Sequence, residues 1–400
     1  MAETTGEDKF ERLDRAAAAG VERLFEALGE TLLAEKRYAQ YFDASLMMKR
    51  WQLGLPVEGT EDLRGLTEAQ EIELENAYID LCRRVGRKFL EDGDIRGAWP
   101  YFRAIDEPGP VAEALEAWTP KPEEGPSAVE AMVDIALREG AHPQRGFELL
   151  LGLRGPERAA EAIDRHLASP SPARARAIEL FVRRVYEDLA AKVREDISRR
   201  ESAPPSEARL RELVADRPDL FEAKAFHLDE PLLRAAVRLA ASSEDREVLE
   251  LGEEIADYGR RFPRAVGGPE EAPFEDFFAD ARILLLALLG RGADGAVRYF
   301  EAKADRAYPG AGGKHVPGEV LVTLLDRLGR YAAAIDAYRK YLSRGAEIAP
   351  TVPKLLDLSA KARDFRALLE EARSRDDLVG YSLALLVRGR ARGDEPGRNP

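Results

Sequence analysis

The sequence predicts an all-α protein, an irregular α-solenoid of antiparallel helix hairpins. Three observations carry that expectation. Apolar residues recur at three- and four-residue steps along most of the chain. Hydrophobic residues make up 45% and charged residues 34%, the mixture expected of many amphipathic helices, each with one apolar stripe and one ion-paired face. The breaks between periodic segments are short and rich in Gly and Pro, as helix–helix connections are. A length of 400 residues exceeds one ordinary core, which leaves two domains or one elongated array.

The elements follow in order. Val21, Leu24, Phe25, Leu28 and Leu32 share one helical face. A second helix, about 38–53, carries Phe42, Leu46 and Leu53 and stops at Gly54-Leu55-Pro56. Thr67 and Gln70 form a capping-box pattern ahead of a long helix with Ile72, Leu74, Tyr78, Leu81, Val85 and Phe89. Gly93 ends that helix and Asp94 caps the next, which runs to about Ile105. Ser127 with Glu130 is the expected cap of a helix bearing Met132, Val133 and Leu137, closed by Gly140. His142-Pro143 and Ser171-Pro172 each open a helix with proline in the first turn, where its missing N–H costs nothing. The second of these is the longest, with the stripe Ile178, Phe181, Val182, Val185, Leu189, Val193 and Ile197. Asp229 caps a segment with Leu232, Leu233, Val237 and Leu239, and Ser243 precedes one with Val248, Leu251, Ile255 and Tyr258. Later helices are expected at 274–289, 293–304, 319–328, 332–342, 354–362, 364–372 and 376–387.

Residues 1–8 and 389–400 lack a periodic apolar set and are expected to be disordered ends. Between them the chain divides into an N-terminal helical-hairpin half, 9–202, and a C-terminal helical-repeat half, 206–388, at the break Ala203-Pro204-Pro205.

One hairpin pattern repeats. In the segment 86–102, Phe89 is followed by Gly93 four residues on, Ala98 nine on and Phe102 thirteen on. Glycine makes the turn, alanine lets two helices approach, and the aromatics fill the space between hairpins. The same offsets recur at Leu325, Gly329, Ala334 and Tyr338. A variant occurs at Ala287, Ala296 and Phe300 with turn glycines Gly290 and Gly292, and a weaker copy at Leu137, Gly140, Gly146 and Leu150. At these residues the chain resembles the tetratricopeptide-repeat family, whose pattern of Gly, aromatic, turn Gly, Ala, aromatic and helix-ending Pro falls on Gly86, Phe89, Gly93, Ala98, Phe102 and Pro110. The hairpin around Gly329 matches in its second half, and Trp99-Pro100 places an expected kink inside a helix. The resemblance covers about a quarter of the chain. It implies a protein-interaction scaffold with a concave groove, taking a peptide or protein partner, and implies no catalysis or cofactor.

Composition excludes other classes. The formal net charge of −14 opposes nucleic-acid binding and anionic membranes. Even the Arg-rich stretch 174–200 is interleaved with Glu179, Glu187, Asp188, Glu195 and Asp196. A single cysteine, Cys82, forms no intrachain disulfide and reads as a small buried hydrophobe. The start of the chain shows no signal-peptide pattern, and the longest apolar run, from Ile283 to Leu289, is too short to cross a bilayer. A cytoplasmic protein is expected.

Candidate chemistry is sparse. His142, His166, His227 and His315 are scattered, with no pair at helix-face spacing for a metal. The stretch 309–315 resembles a phosphate loop, but Tyr308 and His315 stand where Gly and Ser or Thr are required. Arg392-Gly393-Asp394 reads as a chance tripeptide. Trp51, Trp99 and Trp118 read as packing residues. No catalytic, cofactor or metal residue is assigned. The expected binding residues are Arg83, Arg84, Arg87 and Lys88, like charges clustered on the helix before Gly93 that an acidic peptide would answer. A surface ladder with Asp80 and Glu91 accounts for the same residues. Two further classes stand beside the scaffold: an enzyme with a site assembled between helices, and a self-associating element with the long helix at 171–200 as its seam.

Overall fold

A computed structural model describes residues 8–57, 66–121, 125–201, 204–222, 226–262, 273–307, 314–342, 348–374 and 376–392. Every regular element among them is helical. Contacts divide the chain into two compact units, Met1–Leu153 and Arg154–Pro400; the Pro204-Pro205 break lies inside the second.

The N-terminal unit holds α1 (Lys9–Ala19), α2 (Val21–Ala34), α3 (Tyr38–Gln52), α4 (Glu68–Glu91), α5 (Ile95–Ala104), α6 (Gly109–Ala117) and α7 (Pro126–Val133), which runs on as a π-helical turn, Asp134–Arg138. The first half of α8 (Pro143–His166) also belongs to it. From α1 to α6 each helix packs on the next, and α4 also meets α6. Thr67 and Gln70 form the capping box expected of α4, and the Asp94 carboxylate accepts from Gly97 N–H at 2.8 Å to cap α5. Gly93 makes the turn between them with φ +78°, a left-handed value only glycine adopts freely. Two expectations differ. Ser127 caps nothing: Pro126 takes the first helical position, so Ser127 is already inside the first turn and Gly125 stands at the cap. Pro110 opens α6 rather than ending α5, and α5 continues through Pro100.

Within α8 the backbone leaves the helix at Gly155 (φ +75°, ψ 179°), just before Pro156. This is next to the division between the units.

The C-terminal unit continues with α9 (Pro172–Arg200), α10 (Leu210–Val214), a 3₁₀ turn (Pro218–Phe221), α11 (Glu230–Ala241), α12 (Arg246–Gly259), α13 (Phe277–Leu288), α14 (Ala293–Arg306), α15 (Val316–Arg327), α16 (Tyr331–Tyr341), α17 (Leu355–Ala362), α18 (Arg366–Ser374) and α19 (Leu378–Arg392). Helices α11 to α19 again pack in sequence order, and α11 with α13, α13 with α15 and α17 with α19 pack across one intervening helix. Ser171 caps α9 by accepting from Arg174 N–H at 3.1 Å. Its stripe from Ile178 to Ile197 is buried against α10, α11 and α12. The dimer-seam expectation for this helix is therefore wrong: the apolar face is already used inside the unit. Asp245, not Ser243, caps α12, with its carboxylate accepting from Val248 N–H at 2.9 Å. Helix α19 runs through Gly389, where the expected tail began, because one glycine costs a helix only about 1 kcal/mol.

From Leu251 to Gly259 helix α12 is buried on all sides and carries three acidic residues inside, Glu253, Glu254 and Asp257. Buried carboxylates persist only when paired, and each of these is. Glu254 accepts from the Tyr186 hydroxyl at 2.7 Å and from Arg211 Nε at 2.8 Å, and pairs with Arg209. Glu253 pairs with Arg282 at 2.8 Å, and Asp257 pairs with Arg260 at 2.6 Å and Arg261 at 3.0 Å. The next helices repeat the device, with the buried Lys303 ammonium donating to Asp280 at 2.8 Å and to the Pro273 carbonyl at 2.5 Å.

Candidate binding groove between α2, α3 and α4

Helices α2, α3 and α4 enclose a groove of about 540 Å³, within the size range of ligand and peptide sites. Its floor is Phe25 and Leu33 from α2, Ala44 and Met48 from α3, and Ala77 and Leu81 from α4. The geometry follows from the spacing on α4: Ala77, Asp80, Leu81 and Arg84 stand three and four residues apart and so share one face. The neighbouring face, with Val85 and Phe89, packs instead on Tyr38, Phe42 and Tyr101. Phe89 meets Tyr38 edge-on at 5.1 Å and stacks on Tyr101 at 5.7 Å, which fixes the rotation of α4 and hence what it shows the groove.

Charges ring the floor, and most are neutralised. Glu26 pairs with Arg23 at 2.9 Å, Lys49 with Glu73 at 2.6 Å and Asp80 with Arg83 at 3.1 Å, and Glu30 pairs with Arg12. Arg84 differs. Its guanidinium donates to the Tyr41 hydroxyl at 3.3 Å, and among the described residues it has no carboxylate partner. An exposed guanidinium beside an apolar floor offers a fork to an incoming carboxylate.

The four cations expected to act together are placed apart. Arg83 turns away from the groove and grips Glu107 with Nε at 3.1 and 3.0 Å from the two carboxylate oxygens. Those hydrogen bonds hold the Glu107 carboxyl below its ordinary range, helped by the nearby charges of Arg83 and Arg87. Arg87 is exposed on that same side. Lys88 pairs with Glu91 at 2.7 Å. Arg84 alone of the four lines the groove.

Sequence reasoning missed the floor. Phe25 read as a core position and α3 as an ordinary amphipathic helix. The available signal was that α3 carries large apolar residues around its circumference, Tyr41, Phe42, Leu46, Met47 and Met48, more than packing on two neighbours consumes. Methionine is also the side chain best able to mould itself to varied ligands.

Elsewhere the titratable groups are absorbed by structure. Nδ1 of His315 accepts from Gly318 N–H at 3.0 Å to cap α15, and Nδ1 of His142 accepts from Arg145 N–H at 3.3 Å. His227 lies 2.7 Å from the Tyr258 hydroxyl and 3.3 Å from Asp196, and burial pushes the Tyr258 hydroxyl well up. Cys82 is fully buried in α4, and burial pushes its thiol up. Among the described residues no three His, Cys, Asp or Glu side chains gather as metal ligands, and no helix is long and apolar enough to cross a membrane. Most of the stretch 309–315, and Gly393-Asp394, lie outside the described residues. A second cavity, about 380 Å³ in the C-terminal unit, is rimmed by Arg246, Asp326, Arg327 and Lys361. Its cations are spoken for: Lys361 pairs with Asp326 at 2.7 Å, Arg246 with Glu250 at 3.3 Å, and Arg327 donates to the carbonyls of Ala241 and Ser243.

Searches of protein-family models, curated proteins and solved structures returned no match to this chain.

Proposed function

We propose that the chain is a divergent tetratricopeptide-like α-solenoid and serves as a protein-interaction scaffold, taking a peptide segment of a partner protein in the α2–α4 groove. The observation that carries this reading is Arg84, a guanidinium bonded to a tyrosine hydroxyl at the edge of an apolar floor. A segment with one or two apolar side chains and a nearby carboxylate complements that arrangement. The hairpins support the repeat reading. Ala98 and Phe102 of α5, Ala334 of α16, and Phe300 of α14 with its neighbour Ala296 are buried in the places the pattern gives them. The turn glycines Gly93, Gly140, Gly290, Gly292 and Gly329 all have positive φ.

Affinity capture from cell extract with mass spectrometry, run in parallel on four chains, tests the reading. Wild type is expected to enrich one protein that Arg84→Glu and the groove-filling Ser45→Trp both lose, with helical content unchanged. Lys88→Ala, which breaks the Glu91 pair outside the groove, is expected to keep it. Equal recovery by all the chains, or no enriched protein across several growth conditions, overturns the proposal.

A further inference from the structure

Helix α19 turns its apolar side to water. Leu378 is 75% exposed, Val379 80% and Leu386 56%, with Leu383 and Leu385 also exposed. Val379, Leu383 and Leu386 stand four and three residues apart and so form one stripe along the helix. The opposite face is the one that packs: Ala384 is fully buried, and Gly380, Tyr381 and Val387 are half-buried, with α17 and α18 as neighbours. A helix that simply closed one side of this packing would show polar side chains outward. Five large apolar side chains together mark a surface made to be covered.

The charges at its two ends say by what. Asp376 and Asp377, both exposed, precede the stripe, and Arg388, Arg390 and Arg392 follow it in sequence. Laid antiparallel on itself, the helix sets acidic start against basic end and apolar stripe against apolar stripe. The helix dipoles favour the same orientation. A different partner would have to reproduce this distribution, whereas a second copy has it by construction. Repulsion is also small here. Residues 376–392 hold two Asp and three Arg, a local charge of +1, within a chain of net charge −14.

We propose that α19 is an association surface that pairs antiparallel with α19 of a second copy of this chain, with Ser382 and Leu383 nearest the two-fold axis. A helix of 15 residues spans only about 22 Å, short for a permanent interface, so the pairing depends on concentration.

Sedimentation equilibrium of the full chain from about 1 to 200 μM tests this, a span chosen to bracket weak association. The weight-average mass is expected to climb from 44.4 kDa toward twice that value. Val379→Arg and Leu383→Arg, both at exposed positions, are expected to hold it at the single-chain mass with an unchanged thermal transition. Asp376→Lys and Arg388→Glu are each expected to weaken pairing several-fold, and the two together to restore it. A constant single-chain mass overturns the proposal, as does a dimer that survives both stripe variants. Capture of a different protein on the stripe of a chain that stays monomeric overturns it equally.

Discussion

Gly86 of α4 faces the ring of Phe102 in α5 so closely that a Cβ on residue 86 would lie 2.6 Å from the Phe102 Cε2 carbon. Phe102 is fully buried and its ring has no free direction in which to retreat. Gly86→Ala is therefore expected to lower stability by about 1–3 kcal/mol through overpacking, after allowing for the better helix propensity of alanine. Thermal unfolding monitored by tryptophan fluorescence checks it, and Gly86→Ala combined with Phe102→Leu should recover part of the loss.

Helix α8 offers a matched pair of glycines. At Gly152 an added Cβ meets nothing within 4 Å, whereas Gly155 holds φ +75° and ψ 179°, a region closed to other residues. Gly152→Ala is expected to raise the melting temperature slightly, by about 0.5–1 kcal/mol of stability. Gly155→Ala is expected to lower it by about 1–3 kcal/mol. Melting curves of the two variants should shift in opposite directions.

Lys303→Met should strand the Asp280 carboxylate, which is 1% exposed and receives the Lys303 ammonium at 2.8 Å. Removing one member of a buried pair costs about 3–5 kcal/mol. The double variant Lys303→Met with Asp280→Asn should lose less than the single one in urea titrations followed by circular dichroism.

Asp257 sets an acid limit. Burial, the largest influence, pushes its carboxyl up, but the hydrogen bonds and the positive charges of Arg260 and Arg261 together outweigh it and leave the group below its ordinary range. The unfolded chain thus holds this proton more tightly than the folded one. The stability Asp257 contributes is complete above the ordinary value of about 4 and is lost as pH falls through the lower folded value. Asp257→Asn should accordingly be less stable than wild type near neutrality, and the gap should narrow as pH drops below about 4. Urea midpoints of both chains across that range decide it.

Much of the fold was legible because α-helical periodicity and capping act locally. The Thr67–Gln70 box, the Gly93 turn and the Ser171 cap depend on residues within a few positions of one another. Helices α6 and α10 were not read, since nine and five residues carry too few apolar repeats to show a period. Ser127 misled because the Pro126 beside it starts the helix one residue earlier. The site was less legible. The contrast between Arg83 and Arg84 is a rotation of about 100° around α4, and only the packing of Phe89 between Tyr38 and Tyr101 sets which of them meets the groove. Glu107, which claims Arg83, lies 24 residues away in the connection between α5 and α6, beyond any helical pattern. Exposure of the α19 stripe was equally hidden, because the same periodicity describes an apolar face whether or not anything covers it.

The division at Leu153 separates the spectroscopic probes as well as the contacts. All three tryptophans, Trp51, Trp99 and Trp118, and the single cysteine, Cys82, fall in the N-terminal unit. Indole emission and thiol labelling therefore watch one unit alone, while the peptide-bond circular dichroism of this all-helical chain watches both. Recording them on the same sample turns each unfolding experiment into two, with the second unit obtained by difference.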